Sequence, residues 1–145
     1  MSETVNYLLR AVQDCLSDDV HVREVLGDPP RIHDRIVEDA VHPFLSYGEV
    51  RAETLGSDAP ATALTVNLHL YTRYRGRAEA MKILAHILSA LGRDNLKRFL
   101  PGLVSSVSRY TDSFAARDAH IRHSIMRITF TVDEEVLSDT LAEAA

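Results

Sequence analysis

The chain has a single cysteine, Cys15, and no tryptophan. One thiol leaves no internal disulfide, and Cys15 falls in the apolar rhythm of the first helix, as a small buried hydrophobe does. Basic surplus is also lacking: 16 Lys and Arg stand against 21 Asp and Glu, a net charge of −5. General nucleic-acid binders carry the opposite balance, although DNA can still pass nearby without being gripped. No apolar run is long enough to span a bilayer. The start, MSETVNYLLRAVQDCL, lacks the basic region and long apolar core of a signal peptide. The expectation is a protein folded in a cytoplasm, with no membrane partner. Internal repeats and low-complexity linkers are missing too.

Chemical motifs are equally scarce. There is no G-x-S-x-G elbow for a hydrolase nucleophile and no G-x-x-x-x-G-K phosphate cradle. Seven histidines invite a metal reading. His120 and His123, however, sit on an expected strand, where residues three apart point to opposite faces. With no second cysteine and no acidic residue at ligand spacing, zinc has no complete ligand set. His33 and His42 lie in an irregular segment, and His86 lies beside the apolar stripe of a helix. His69, next to Asn67 and Tyr71, can act as a general base only if it lines a pocket. On a solvated or partner-covered strand face it has no such task. No cofactor is expected.

What is present is a regular alternation of elements. The 145 residues, 46% of them hydrophobic, suit one domain spanning 1–145 with a real core, its last residues (136–145) a frayed tail. Val5, Leu8, Leu9, Val12 and Leu16 repeat at helical spacing over 3–16, with Thr4 or Ser2 as cap. DDVHVREVLG adds a short helical turn closing on Gly27, after which Pro29 and Pro30 force extended chain. Residues 31–44 read as irregular, with a short strand at Arg31 to His33. A strand follows over 44–55, with Gly48 marking a bulge or a close backbone approach.

The strand over 62–74 has the clearest pattern. Leu64, Val66, Leu68 and Leu70 face one way, and Thr65, Asn67, His69 and Tyr71 the other. A helix runs from Gly76 or Arg77 to Leu91, with Met81, Leu84, Ala85, Leu88 and Leu91 as its stripe and Gly92 as its stop. A third strand is expected over 102–111, then a long polar loop, RYTDSFAARDAH, then a fourth strand over 120–132. In that last strand Ile121 and Ile125 break the parity of Met126, Ile128, Phe130 and Val132. Either the register shifts near Ile125 or both faces are partly covered. The fold class is therefore α+β, a two-layer sandwich. Its antiparallel sheet has about four strands, with two main helices packed on one face.

Two surfaces stand out as candidate subunit or partner interfaces. One is the corner of Arg73, Arg75 and Arg77, either a solvated turn or a contact to carboxylates. Arginines at a helix start oppose the dipole, which favours a role outside the fold. Intersubunit ion pairs to Glu49, Glu53, Asp112 or Asp118 fit that corner. The other surface is the uncharged, hydrogen-bonding face Thr65, Asn67, His69 and Tyr71, which can lie against another subunit without burying unpaired charge. Tyr110, Asp112, Arg117 and Asp118, in the expected loop, complete the candidate set.

The succession YLLRAVQDCL, VLGDPPRIHD, PFLSYGEV, LTVNLHLYTRYRGRAEAMKILAHILSAL and RDAHIRHSIMRITFTVDE resembles the tail terminator, or tail-completion, proteins of long-tailed bacteriophages and gene transfer agents. LHLYTRYRGRAEAMKI, YGEV and the terminal RH strand carry the likeness, which covers residues 5–133. It implies a structural, non-enzymatic protein without cofactor. Such proteins form a ring, typically a hexamer, at the head-proximal end of the tail tube. They stop tube growth and join the tail to the stopper or connector of the head, and DNA passes through the lumen without specific binding. The implied location is the neck of a phage-like particle assembled in a bacterial cytoplasm. The acidic total suits such a conduit, and ETLGSDAP is expected among neutral or acidic lumen loops. The rival readings are a stopper or other connector protein, a small histidine-dependent enzyme using His69 and His33, and a dimeric binding module.

Overall fold

The computed structural model describes residues 2–35, 39–56, 60–73, 77–118 and 120–144. In chain order the elements are α1 (Ser2–Asp18), α2 (Val20–Leu26), β1 (Ile32–His33), β2 (Phe44–Leu55), β3 (Ala61–Thr72), α3 (Arg77–Ala90), α4 (Arg93–Leu96), β4 (Leu103–Ala115), β5 (Arg122–Asp133) and α5 (Glu134–Ala144). The strands form one sheet in the order β1-β2-β3-β5-β4. All pairs are antiparallel except β1 with β2. The α+β expectation holds, with five strands in place of about four. The addition is the two-residue β1, which falls where a short strand was expected.

The central strand sets the architecture. Along β3 every second residue is buried, and Leu64, Val66, Leu68 and Leu70 lie under the helices. They join Met126, Ile128, Phe130 and Val132 of β5, and Leu8, Val12, Cys15 and Leu16 of α1, in one continuous core. Ile83, Leu84, Ile87 and Leu91 from α3 and its end, with Leu137 of α5, belong to the same cluster. Among the described residues all five helices lie on one face of the sheet, and none lies on the other. The β3–β5 pairing runs without a shift from Ala61↔Asp133 to Thr72↔Arg122. Ile125 consequently points to the open face, half-buried among neighbouring side chains, with no register shift at it in either pairing of β5.

Local chemistry explains several element boundaries and irregularities. Asp19 caps α2 by accepting from the Val22 N–H at 3.0 Å, and Gly27 ends it with φ +96°. β2 carries an irregularity between Tyr47 and Val50, at Gly48. Asp133 starts α5, its Oδ1 accepting from the Glu135 and Val136 N–H groups. Gly102, at φ +91°, lies so close to Asp133 and Leu137 that a side chain there would strike the start of α5.

Several expectations need correction. Pro29 and Pro30 sit in a turn rather than in extended chain. Thr4 lies inside α1, and its hydroxyl donates to Glu134 Oε1 at 2.8 Å instead of capping the helix. The buried stripe of α3 is Ala80, Ile83, Leu84, Ile87 and Ala90, and Met81 and Ala85 are exposed. Apolar residues cover so much of that helix that two overlapping stripes share the same spacing. β4 continues to Ala115, so the loop before β5 shrinks to residues 116–121. β4 is an outer strand, largely exposed, with shifts between Leu103 and Ser105 and between Ser108 and Tyr110. These features erase its alternation. The terminal residues expected as a tail form α5, with Leu137 buried.

Leu68, 1% exposed at the middle of β3, tests the register. Leu68→Ala should cost about 2–5 kcal/mol in chemical denaturation, and Leu68→Asp should give no cooperative melt because its charge is buried without a partner. A Leu68→Asp protein that melts like wild type would overturn the assignment of this face to the core.

Candidate functional site

The open face is where side chains without a packing role collect. Its first region is a row of rings at the end of the sheet nearest Thr72. Phe44 of β2 stacks on Tyr71 of β3 at 5.0 Å, and Tyr71 stacks on His123 of β5 at 4.4 Å. Phe114 of β4 leans on His123 at 4.9 Å, and His33 of β1 leans on Phe44 at 5.4 Å. Register dictates the row, because Phe44↔Tyr71, Tyr71↔His123 and His123↔Phe114 are directly opposed pairs.

His69 stands one row further in. Its Nδ1 lies 2.7 Å from His123 Nε2, so one ring must donate and the other accept. The His69 ring lies against the backbone at Gly48, where a Cβ would collide with it. The two expectations for Gly48, a bulge and a close backbone approach, are thus both met. Burial lowers the pKa of His69 from its ordinary value, against the pull of Glu49. Burial, and then His69 itself, lowers that of His123. Burial and then the Arg73 charge lower that of His42.

The second region is an open trough of about 570 Å³ toward the other end of the face. It is lined by residues from four strands, among them Glu49, Leu55, Thr65, Asn67, Tyr110 and Arg127. Arg127 Nε donates to Asn67 Oδ1 at 2.9 Å, and its guanidinium lies 4.9 Å from the centre of the Tyr110 ring. Arg109 Nε donates to Thr129 Oγ1 at 3.1 Å. Arg51 pairs with Glu53 at 2.8 Å. Among the described residues neither Arg109 nor Arg127 meets a carboxylate.

The structure therefore splits the expected interface residues. Thr65, Asn67 and Tyr110 line the trough, and His69 and Tyr71 belong to the ring cluster. Asp112 is on β4 opposite Ile125, not in a loop, and its Oδ1 accepts from the Ser113 N–H. Arg117 and Asp118 stay in the β4–β5 turn, where Asp118 accepts from the His120 N–H at 3.0 Å. Arg73 shares a small crevice with His42 and Glu79, and Arg77 opens α3, exposed. Arg75 lies outside the described residues, as do residues 57–59 of ETLGSDAP.

Arg73 is at the Thr72 end of the sheet, where the β4–β5 turn with Arg117 and Asp118 also lies, whereas Glu53, opposite Ala63, is nine β3 residues from Thr72, roughly 30 Å at strand rise. Sequence reasoning missed His123, Phe44 and Phe114 as a cluster, and Arg109 and Arg127 as trough residues. Their signal is cross-strand register, which periodicity within one segment does not contain.

Elsewhere the chemistry is quiet. Among the described residues no group of three His, Cys, Asp or Glu is arranged to hold a metal ion. Cys15 Sγ donates to the Ala90 carbonyl at 3.1 Å, and burial pushes its pKa up to about 11, so it stays a thiol at neutral pH. His86 is half-buried and stacks on His21 at 5.0 Å. His33 and His69 are separated by β2, each opposed to Ser46, and do not form a catalytic pair.

The lowered histidines fix the sign of a pH effect. The unfolded chain takes up protons near the ordinary histidine pKa, about 6.5, before the folded chain does. Stability from this pair is therefore fully present above that pH and is lost as pH falls through the folded values. The melting temperature of wild type should fall below about pH 6.5 more steeply than that of His123→Gln, as differential scanning calorimetry at several pH values would show. Gly48→Ala, by displacing His69, should flatten the profile in the same way. Parallel profiles for all three proteins would refute the pairing.

Comparison with known proteins fits this geometry. The sequence model of the family described as tail completion protein gp17 matches residues 10–133. A search of curated proteins gives no match. Among solved structures, a chain from the virion of a native gene transfer agent particle is similar in fold, with a TM-score of 0.67 at 16% identity, covering 86% of this chain and 92% of that one.

Proposed function

The chain belongs to the tail completion protein gp17 family, and from that premise we propose that it caps the head-proximal end of a phage-type tail tube as a ring of identical copies. The ring ends tube growth and offers its far side to the connector or stopper of the head. DNA crosses its lumen without being held. This is a structural role in the particle, with no reaction and no cofactor. The observation that carries it is the family match over residues 10–133, which spans nearly the whole two-layer fold.

The structure supports the reading in physical terms. One solvated face is common in an antiparallel sheet, but this one also exposes Leu55, Val107, Tyr110 and Phe114 at about 40–45%, apolar area of the kind that contacts cover. In an assembly such a face has neighbours. Weak surface pairs of about 0–1 kcal/mol each add up when a ring repeats every contact. The candidate contacts are the trough residues Thr65, Asn67 and Tyr110, the ring cluster with His69 and Tyr71, and the corner of Arg73, Arg75 and Arg77. Asp112, Arg117 and Asp118 beside the β4–β5 turn complete the set.

Electron microscopy of particles from a strain lacking the protein decides the matter. The expected result is filled heads beside separate tails of uncontrolled length, and normal attached tails would reject the role. A second expectation concerns DNA: the purified protein should show no salt-sensitive binding to duplex DNA, because each phosphate held would retard passage.

A further inference from the structure

Within the ring proposed above, on which this inference rests, the geometry points to one specific contact: the acidic outer stripe of α5 in one copy seats in the arginine trough of the next. Two separate features, each unexplained by the fold, fit one another. The first is in α5, which carries Glu134, Glu135, Asp139 and Glu143 and no cation. Glu135, Asp139 and Glu143 follow at four-residue steps, all exposed, with Val136 beside them 46% exposed. Like charges at this spacing oppose one another along a helix, and Glu143, near the C-terminus, also opposes the dipole. Among the described residues none of the three meets a cation.

The second feature is the trough. Arg109 and Arg127 are held in place by Thr129 and Asn67, with Arg127 under Tyr110, and neither has a carboxylate. The helix repeats its carboxylates about every 6 Å, and the two arginines stand on adjacent strands, which run about 5 Å apart, with Arg109 at the β4 bulge beside the Tyr110↔Arg127 pair. The trough is also apolar in part, since Leu55 and Tyr110 are exposed there. Val136 has a place to go. A nucleic-acid strand suits this floor less well. It has no apolar residue to offer Leu55; the glutamates of the trough oppose either anion alike, and of these Glu53 is already paired with Arg51.

The helix cannot fill the trough of its own chain. Leu137 ties α5 into the core on the covered side of the sheet, and the trough is on the other side. The contact therefore runs from one copy to the next, two different patches meeting head to tail, which is the type of interface that closes into rings.

Charge reversal separates the possibilities. The trough variant is Arg109→Glu with Arg127→Glu. The helix variant is Glu135→Lys with Asp139→Lys and Glu143→Lys. Self-association is measured by sedimentation of the full chain at rising concentration, and by cross-linking on purified tail tubes. Matching melting curves establish that each variant is folded. Each variant alone should associate roughly tenfold or more weakly than wild type. An equal mixture of the two should recover association, because each supplies the patch the other has lost. The five-residue swap in one chain should recover it too. Reversals that leave association intact, or a mixture and swap that do not recover it, would overturn the contact. So would a trough variant whose only defect is loss of duplex DNA binding. Failure of the wider role looks different: wild type itself would neither bind tubes nor limit tail length.

Discussion

The alternation along β3 is the constraint from which everything else follows. A strand with a strict two-residue period has two unlike faces, and only one of them can join a hydrophobic core. Leu64, Val66, Leu68 and Leu70 commit one side to the helices, and the unbroken β3–β5 register extends that commitment to Met126, Ile128, Phe130 and Val132. Thr65, Asn67, His69 and Tyr71 are thereby placed on the side that none of the described helices covers. The ring cluster and the trough are consequences of this placement. They are built from residues that the same register brings into line across neighbouring strands.

The open face is not loosely organised for being uncovered. His69 and His123 share a hydrogen bond, Gly48 gives the His69 ring its space, and Arg127 is held between Asn67 and Tyr110. Side chains fixed in this way lose little further freedom when a neighbour arrives, and that loss is a main cost of association. A preset face therefore suits the repeated, weak contacts of the ring proposed above.

How much of this was legible in the sequence depended on range. β2 and β3 could be read almost to the residue, because one buried face gives clean alternation and Gly48 marks the bulge. The family likeness was legible too, in LHLYTRYRGRAEAMKI and the segments around it, and the family match bears it out. Reading failed where the pattern was weak or the information lay elsewhere. β4 is exposed on both sides and interrupted twice, so its second half passed for a loop. The cap of α5 was visible as Asp133 ahead of Glu134 and Glu135 but went unused. In α3 an excess of apolar residues allowed the wrong stripe. The contact between His69 and His123 spans 54 positions, so no spacing within one strand contains it.

The two interruptions in β4 carry a further consequence. An outer strand of 13 residues is a standing invitation to indiscriminate strand pairing, the route by which sheet proteins clump. Each bulge throws the free amides and carbonyls out of step and sharpens the local twist, so a stray strand finds no long straight template. The interrupted edge thus resists zipping strand to strand into fibres.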